Sequence, residues 1–241
     1  MLCVPRVLPK KDDEGSTPRL ALFVPNMWPV NIRQLRVKFL DGTPELWARI
    51  MDLEGGPNGW NSASSMQFVF TQNGPSHIRV TFTRGASWSY VGTQCKAIAA
   101  DKPTMQLGWL DIRTEEREVR RVWLHEAGHA LGFWHEHETM LGVDSIPWDY
   151  KGINKWCKDK GITYEEWEQT WNVPASDSVI MHPIYDGNSI MHYYIPPEWV
   201  LDRTPRGGAN TLSAIDRQMV EAWYEKSPKA WYHTFLPVTR K

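Results

Sequence analysis

The sequence predicts an α+β fold, with a mixed, twisted sheet and helices in an N-terminal lobe and a less regular C-terminal lobe. Short segments before residue 110 alternate apolar and polar residues, as half-buried strands do. Helical patterns occur between these segments and again near the C-terminus. A chain of 241 residues is long enough for one domain, or for one domain divided into two lobes.

Four segments are predicted as strands because large apolar residues occupy every second position. These segments are residues 35–39, 66–70, 78–82 and 105–109. A helix is predicted after the first strand, since Thr43 can cap its N-terminus, Pro44 suits its first position and Gly55 begins the turn that ends it. The order strand–helix–strand–strand–strand favours a mixed sheet with helices packed on it.

A longer helix is predicted between Thr114, which can cap its N-terminus, and about Leu131. Glu115 and Glu116 would lie in the first turn, where the helix dipole favours acidic side chains. Gly132 can end this helix, because glycine adopts the left-handed conformation at low cost.

Two more helices are predicted in the second half of the chain from their N-terminal signals. Thr163 and Glu166 form a capping-box pattern ahead of Trp167. Residues from Ser213 to Asp216 open a final helix that ends before Pro228.

The chain is predicted to begin with an irregular segment. Residues 1–30 contain five prolines and the polar stretch 10–17, a composition typical of a leader or pro-segment. The folded domain is therefore predicted over residues 31–241, with an N-terminal lobe of about 31–132 and a C-terminal lobe of about 133–241.

The composition excludes several classes of partner. The 27 Lys and Arg residues are balanced by 28 Asp and Glu residues, so no basic surface suggests nucleic acid. No stretch approaches the roughly 20 apolar residues that a membrane-spanning helix needs. Residues 1–6 lack the apolar region of a signal peptide. We expect a monomer without a nucleic-acid partner or a membrane span.

The most informative segment reads HEAGHALGFWH from His125 to His135 and matches H-E-x-x-H-x-x-G-x-x-H at every fixed position. On a helix of about 3.6 residues per turn, His125 and His129 lie on the same face and can hold one ion. A sharp turn at Gly132 can then bring His135 back to the same ion.

Three neutral imidazoles leave one tetrahedral position open for water, as in a catalytic zinc site. Glu126, next to the first ligand, can accept a proton from this water and deliver it to a leaving amine. A single histidine would more simply be a core or surface residue, but the five fixed positions together predict one Zn²⁺ cofactor. Five other histidines fall outside this spacing. His192 is expected near the cleft, and the other four are expected at the surface or behind the ligands: His77, His137, His182 and His233.

The motif resembles that of the metzincin zinc peptidases, and the segment Ser189-Ile190-Met191-His192-Tyr193 resembles the methionine turn of their astacin-like members. The resemblance implies a zinc endopeptidase with a cleft between two lobes, acting on protein or peptide substrates. It implies that Met191 forms an apolar floor beneath the imidazoles. It also implies that Tyr193 reaches the metal or stabilises the tetrahedral intermediate. Secretion is suggested by the resemblance alone.

Glu136 follows the third ligand, as in astacins, where this acid pairs with the amino terminus of the processed enzyme; a surface glutamate is the alternative. The chain departs from astacins at residues 137–144 and lacks their cysteine pattern. The segments 146–149 and 167–173 look more like an astacin-related group from bacteria and fungi.

The resemblance also implies that substrate binds as an extended strand against a sheet edge beside the motif helix. Residues 104–110 lie just before this helix and are the candidate edge, although an internal strand is the alternative. The residues expected to bind substrate are Met105, Gln106, Leu107, Gly108 and Trp109.

Alternatives to an active enzyme are a binding module on the same scaffold and a latent form. In the latent form, the thiolate of Cys3 would fill the open zinc position. A disulfide between Cys95 and Cys157 is another use of two of the three cysteines, in an oxidising compartment.

Overall fold

The computed structural model describes residues 22–23, 26–29, 31–171, 179–180 and 182–224. The strands are β1 (Leu22–Phe23), β2 (Gln34–Phe39), β3 (Gln67–Phe70), β4 (Ile78–Thr81), β5 (Trp88–Ser89), β6 (Met105–Gln106) and β7 (Val179–Ile180). The α-helices are α1 (Pro44–Gly55), α2 (Glu116–Leu131), α3 (Met140–Ser145), α4 (Tyr150–Lys160), α5 (Tyr164–Trp171) and α6 (Ala214–Tyr224). Short 3₁₀ turns span Trp60–Ser62, Gly92–Ala97, Glu136–Glu138 and Pro197–Trp199.

The main sheet has five strands in the order β3-β2-β4-β6-β5. β2 pairs in parallel with β3 and β4, β4 pairs in parallel with β6, and β5 runs antiparallel to β6. The alternation that predicted β2 is confirmed, since Leu35, Val37 and Phe39 are all buried. The mixed sheet predicted from the order of elements is therefore confirmed.

The prediction that residues 104–110 form a sheet edge is wrong. Met105 pairs with Val80 on one side and with Ser89 on the other, so β6 is internal. Farther along, the Leu107 amide donates to Thr81, while the Gly108 backbone bonds to residues preceding β5. β5 instead lies at that end of the sheet. A two-residue strand leaves too short an alternation to be recognised from sequence.

The first helix begins as predicted and is joined to α2 through a buried carboxylate. The Thr43 hydroxyl accepts from the Leu46 amide, and Pro44 is the first residue of α1. Near the end of α1, the Glu54 carboxylate accepts from Trp123 Nε1 on α2 and from the Asn61 amide, each at 2.7 Å. Burial raises the pKa of Glu54 to about 7, while these hydrogen bonds act in the opposite direction.

The motif helix α2 ends where predicted but begins one residue later than a Thr114 cap would require. Its N-cap is Glu115, whose side chain makes no capping hydrogen bond, so the predicted cap is wrong. The Thr114 hydroxyl instead accepts from the Asp111 amide within the preceding turn. At the other end, Gly132 has φ +106° and its amide donates to the carbonyls of Gly128 and His129, as expected of a left-handed helix end.

Ordered structure begins earlier than the proline-rich composition suggested. Leu22–Phe23 pairs antiparallel with Val179–Ile180, and Trp28 is buried in the core with its Nε1 donating to the Ala130 carbonyl. The prediction of an irregular segment is therefore wrong for Leu22–Phe23, whereas residues 27–29 form no regular structure although Trp28 is buried, because proline excludes regular structure locally but not burial. The leader assignment of residues 1–21 lies outside the described residues.

A second hydrophobic core lies in the C-terminal half and includes Ile146, Ile153, Trp167 and Trp199. The helix α4, which was not predicted, begins at an Asp149 cap. The capping box at α5 is confirmed: the Thr163 amide donates to the Glu166 carboxylate, and the Glu166 amide donates to the Thr163 hydroxyl.

The last helix, α6, belongs to the first core, where Met219, Val220 and Tyr224 are buried with the sheet and α2. Its predicted start is confirmed by reciprocal hydrogen bonds between Ser213 and Asp216. The lobe boundary near residue 132 stays a prediction.

The cysteines and the helices decide two further expectations. Cys95 and Cys157 are free thiols buried in different cores, so the alternative of a disulfide between them is wrong. Cys3 lies outside the described residues. None of the described helices is long and apolar enough to cross a membrane.

Candidate metal centre and active-site cleft

The three motif histidines converge at the C-terminal end of α2. His125 and His129 project from successive turns of α2, and the turn at Gly132 returns the chain so that His135 faces them. Their ring centroids are 4.8 Å (His125–His129), 4.9 Å (His129–His135) and 5.3 Å (His125–His135) apart. One potential ligand atom from each lies within 4.8 Å of the other two.

Each of these rings is held by a hydrogen bond at Nδ1. His125 Nδ1 lies 2.8 Å from the Ile190 carbonyl, and His129 Nδ1 lies 2.8 Å from the Phe133 carbonyl. His135 Nδ1 lies 3.2 Å from the Glu138 carboxylate. Because carbonyl oxygens can only accept, Nδ1 of His125 and His129 carries the proton and Nε2 presents its lone pair, the form that binds a metal. His135 takes the same form when Glu138 is ionised.

Burial keeps these imidazoles neutral. All three residues are buried, and desolvation is the main cause that lowers their pKa, to about 4 for His129 and well below 6.5 for His125 and His135. Their Nε2 atoms are buried and have no hydrogen-bond partner within the described part of the chain. Three neutral, convergent nitrogens without partners are a donor set that fits a zinc ion.

Met191 packs against α2 at Gly128, while its role as a floor beneath the imidazoles stays a prediction. A Cβ atom added to Gly128 would lie 2.4 Å from Met191 Sδ, so the thioether packs directly against the helix between two ligands. The turn that carries Met191 is anchored by Asp216, which accepts from the Ser189 hydroxyl and from the Ile190 amide. The same carboxylate caps α6, so the start of that helix fixes the turn.

Tyr193 lies beside the histidine cluster. Its ring centroid lies 4.1 Å from that of His135 and 4.6 Å from that of His137, and it is 8% exposed. Tyr193 and His125 both line an open cleft of about 530 Å³. The remaining lining residues come from the first half of α2 and from the C-terminal half of the chain: Glu115, Arg117, Glu118, Arg121, Trp171, His192, Tyr194 and Gly208. His192 therefore lies at the cleft, as expected.

The chain matches the family model of Astacin, a family of peptidases, over residues 47–204. The chain belongs to the astacin family. As a member of this peptidase family it is a zinc metalloendopeptidase, and the convergent histidines provide a place for the zinc ion.

Solved structures agree with this membership. A structure of myroilysin is 31% identical, with a TM-score of 0.75, over 86% of this chain and 99% of that chain. A crystal structure of myroilysin is 28% identical, with a TM-score of 0.63, over 93% of this chain and 91% of that chain. High choriolytic enzyme 1, a hatching enzyme zinc-protease from the medaka Oryzias latipes, is 16% identical with a TM-score of 0.56 over 83% of this chain and 94% of that chain, and shows the fold alone. Comparison with curated protein sequences gives no match.

Glu136 of this astacin directly follows His135 and bonds to the methionine turn. Its amide donates to the Met191 carbonyl, and its carboxylate accepts from the Asp186 amide at 2.9 Å. The pKa of Glu136 is raised to about 8, chiefly by burial and also by the nearby carboxylates of Asp216 and Asp186, while the hydrogen bond from the Asp186 amide acts in the opposite direction. Pairing of Glu136 with the amino terminus of a processed chain stays a prediction, because the start of the chain lies outside the described residues.

Two buried residues lie next to the histidine cluster: Glu138, which was not singled out from sequence, and His137, which was expected at the surface or behind the ligands. Glu138 contacts His135 and also accepts from Trp134 Nε1. Burial raises the pKa of Glu138 to about 8. His137 is fully buried and stacks on Tyr193. The available signal was the spacing: in a 3₁₀ turn, residues three apart eclipse, which places Glu138 over His135.

Gly128→Ala tests the packing of Met191 against α2. We expect it to lower the free energy of unfolding by about 1–3 kcal/mol, because the new methyl group displaces the thioether and crowds Trp60. Urea unfolding of the zinc-free protein measures this. Gly55→Ala, at the end of α1 with nothing within 4 Å of its Cβ, is the control and should cost much less. Equal stability of the two variants would contradict the assigned contact.

Proposed function

We propose that this astacin hydrolyses internal peptide bonds of protein or peptide substrates and that Glu126 is the general base. The proposal is supported by the arrangement of the site. Three buried, neutral imidazoles direct Nε2 toward one point, and the adjacent Glu126 is also buried. A non-catalytic zinc-binding module would need the imidazoles but not the buried carboxylate beside them.

His125, His129 and His135 would hold the zinc ion through Nε2, in the tautomer that their Nδ1 hydrogen bonds select. When bound in such a site, zinc lowers the pKa of a coordinated water and polarises the carbonyl to be attacked. Because three protein ligands leave a position open, the donor set suits catalysis better than a purely structural role.

Glu126 follows His125 on α2 and is only 1% exposed. Its carboxylate accepts a proton from the attacking water and delivers it to the departing amine. Seclusion from bulk solvent strengthens its electrostatic interaction with the reacting atoms, because the local dielectric is low.

The Tyr193 hydroxyl donates a hydrogen bond to the oxyanion that develops on the substrate carbonyl. Its ring packs against both His135 and His137 at the cleft, so little reorganisation is required when charge appears.

The substrate strand is assigned to the β5 side of the sheet, in place of the internal β6. Because the Tyr90 amide donates to Thr104 on the β6 side, the alternation of the backbone directs the amide and carbonyl of Ser89 away from β6. β5 also contacts α2. Because Ser89 is only 1% exposed, pairing with its backbone requires that β5 first be uncovered, and a peptide bound there would run beside the motif helix.

Glu126→Gln tests the general base. The variant should bind zinc as the wild type does, because the imidazoles are intact, and should lose about 100- to 10,000-fold in kcat. Metal analysis and peptide hydrolysis give the two results. Glu116→Gln, an exposed position at the start of α2, is the control. Full activity in Glu126→Gln would contradict this mechanism. A zinc-loaded wild type that cleaves no protein in a mixture of intact proteins would favour the non-catalytic binding module.

Tyr193→Phe tests the oxyanion role. We expect kcat to fall by about 100-fold with a smaller change in KM, because the lost hydrogen bond forms mainly in the transition state. Tyr150→Phe alters an exposed tyrosine at the start of α4, outside the residues that line the cleft, and should leave kcat near that of the wild type. Similar losses in both variants would argue against a specific role for Tyr193.

The β5 assignment is tested with substrate peptides that carry one N-methyl group at successive backbone amides. Methylation of the amide that pairs with the Ser89 carbonyl should raise KM several-fold, because one strand hydrogen bond is removed. A peptide methylated at its terminus is the control. A series in which no amide outside the scissile bond affects KM would contradict pairing with β5.

A further inference from the structure

We propose that Glu138 is a positioning residue that orients His135 toward the metal and thereby tightens zinc binding. The proposal deepens the proposed function, since it assumes that His135 is a zinc ligand. The observation behind it is an asymmetry among the ligands. His125 and His129 are oriented by backbone carbonyl oxygens, whereas His135 is oriented by the side chain of Glu138.

The Glu138 carboxyl group is fixed at both of its oxygens. Oε1 lies 3.2 Å from His135 Nδ1, and Oε2 accepts from Trp134 Nε1 at 2.5 Å. Trp134 directly precedes His135 in sequence, and their rings are 6.0 Å apart. Glu138 follows His135 by three residues across the 3₁₀ turn Glu136–Glu138. One short segment therefore supplies the expected ligand His135, its hydrogen-bond acceptor Glu138, and Trp134, which holds that acceptor in place.

The surroundings leave Glu138 little freedom to reach another partner. It is 7% exposed, and the ring of His137 lies on its other side, with Nε2 3.7 Å from the same Oε1. His137 in turn stacks on Tyr193. The carboxyl group therefore contacts Trp134, His135 and His137, and of the two histidines it is His135, through Nδ1, with which it makes a hydrogen bond.

The consequence for metal binding follows from the tautomer of His135. An acceptor at Nδ1 keeps the proton there, leaves the lone pair on Nε2 and holds the ring in the plane that the metal requires. Without this acceptor, the His135 ring can rotate away from the metal site or carry its proton on Nε2. Zinc can bind through Nε2 only after the ring has rotated back or the proton has moved to Nδ1. Loss of such a second-layer acceptor typically weakens metal binding by about 10- to 100-fold.

The test measures zinc affinity of the full chain by competition with a chromophoric chelator, independently of peptidase activity. Glu138→Ala should raise the zinc Kd by about 10- to 100-fold, and Glu138→Gln, which keeps one acceptor oxygen, should fall between that variant and the wild type. Glu54→Ala and Glu54→Gln are matched controls, because Glu54 is also buried and also accepts from a tryptophan Nε1 but lies at the end of α1, away from the histidines. They should destabilise the fold while leaving the zinc Kd within about twofold.

Two results would overturn the proposal. If the Glu138 variants lose stability as the Glu54 variants do but keep the wild-type zinc Kd, Glu138 serves only to satisfy Trp134. If the wild type binds two zinc ions and Glu138→Ala binds one, Glu138 is itself a ligand in a group with His135 and His137. Should Glu138→Ala fail to fold, the Glu138→Gln result decides. A failure of the proposed catalytic function would appear instead as an inactive, zinc-loaded wild type with these affinities unchanged.

Discussion

The metal centre depends on the left-handed turn with which α2 ends. At Gly132, φ is +106°, and the amides of Gly132 and Phe133 close the helix onto the carbonyls of its last turn. The Phe133 carbonyl, now directed back, accepts from His129 Nδ1. The same change of direction returns His135 to the ligand-bearing face. One backbone conformation thus ends the helix, orients the second ligand and delivers the third.

Distant residues hold this helix end in place. The Ala130 carbonyl accepts from Trp28 Nε1 and the Leu131 carbonyl accepts from the Tyr224 hydroxyl, so side chains from both ends of the described chain satisfy carbonyls that a helix terminus leaves without partners. The cost of burying those groups unpaired is avoided. The geometry of the three imidazoles is consequently coupled to the docking of Trp28 and of α6.

The methionine turn joins the two hydrophobic cores at the metal. Ile190 and Met191 are buried in the core that contains the sheet and α2, while Tyr193 belongs to the tryptophan-rich core of the C-terminal half. The Ile190 carbonyl orients His125, and Tyr193 packs on His135. Because Asp216 anchors this turn through two hydrogen bonds, the ligands and the aromatic side chain above them are positioned by one rigid connection. Glu138 gives His135 the support that backbone carbonyls give the other two ligands.

Local physics made much of this site predictable from sequence. The spacing of His125 and His129 reflects the helical period, Gly132 reflects the need for positive φ, and the hydrogen bonds at Thr163 and Ser213 follow from short-range capping chemistry. The strands β2 and β4 were evident because the apolar residues at every second position of each are buried in the core.

Tertiary structure alone decided which strand lies at the end of the sheet, which thiols lie apart, and which acceptors orient the ligands. β6 becomes internal because β5 pairs beside it, and nothing within residues 104–110 encodes that neighbour. Likewise, Trp28 is buried because Ala130, 102 positions away in the chain, offers its carbonyl. Sequence patterns report a residue's own conformation and its buried face, whereas strand order and long-range hydrogen bonds depend on which surfaces meet when the chain folds.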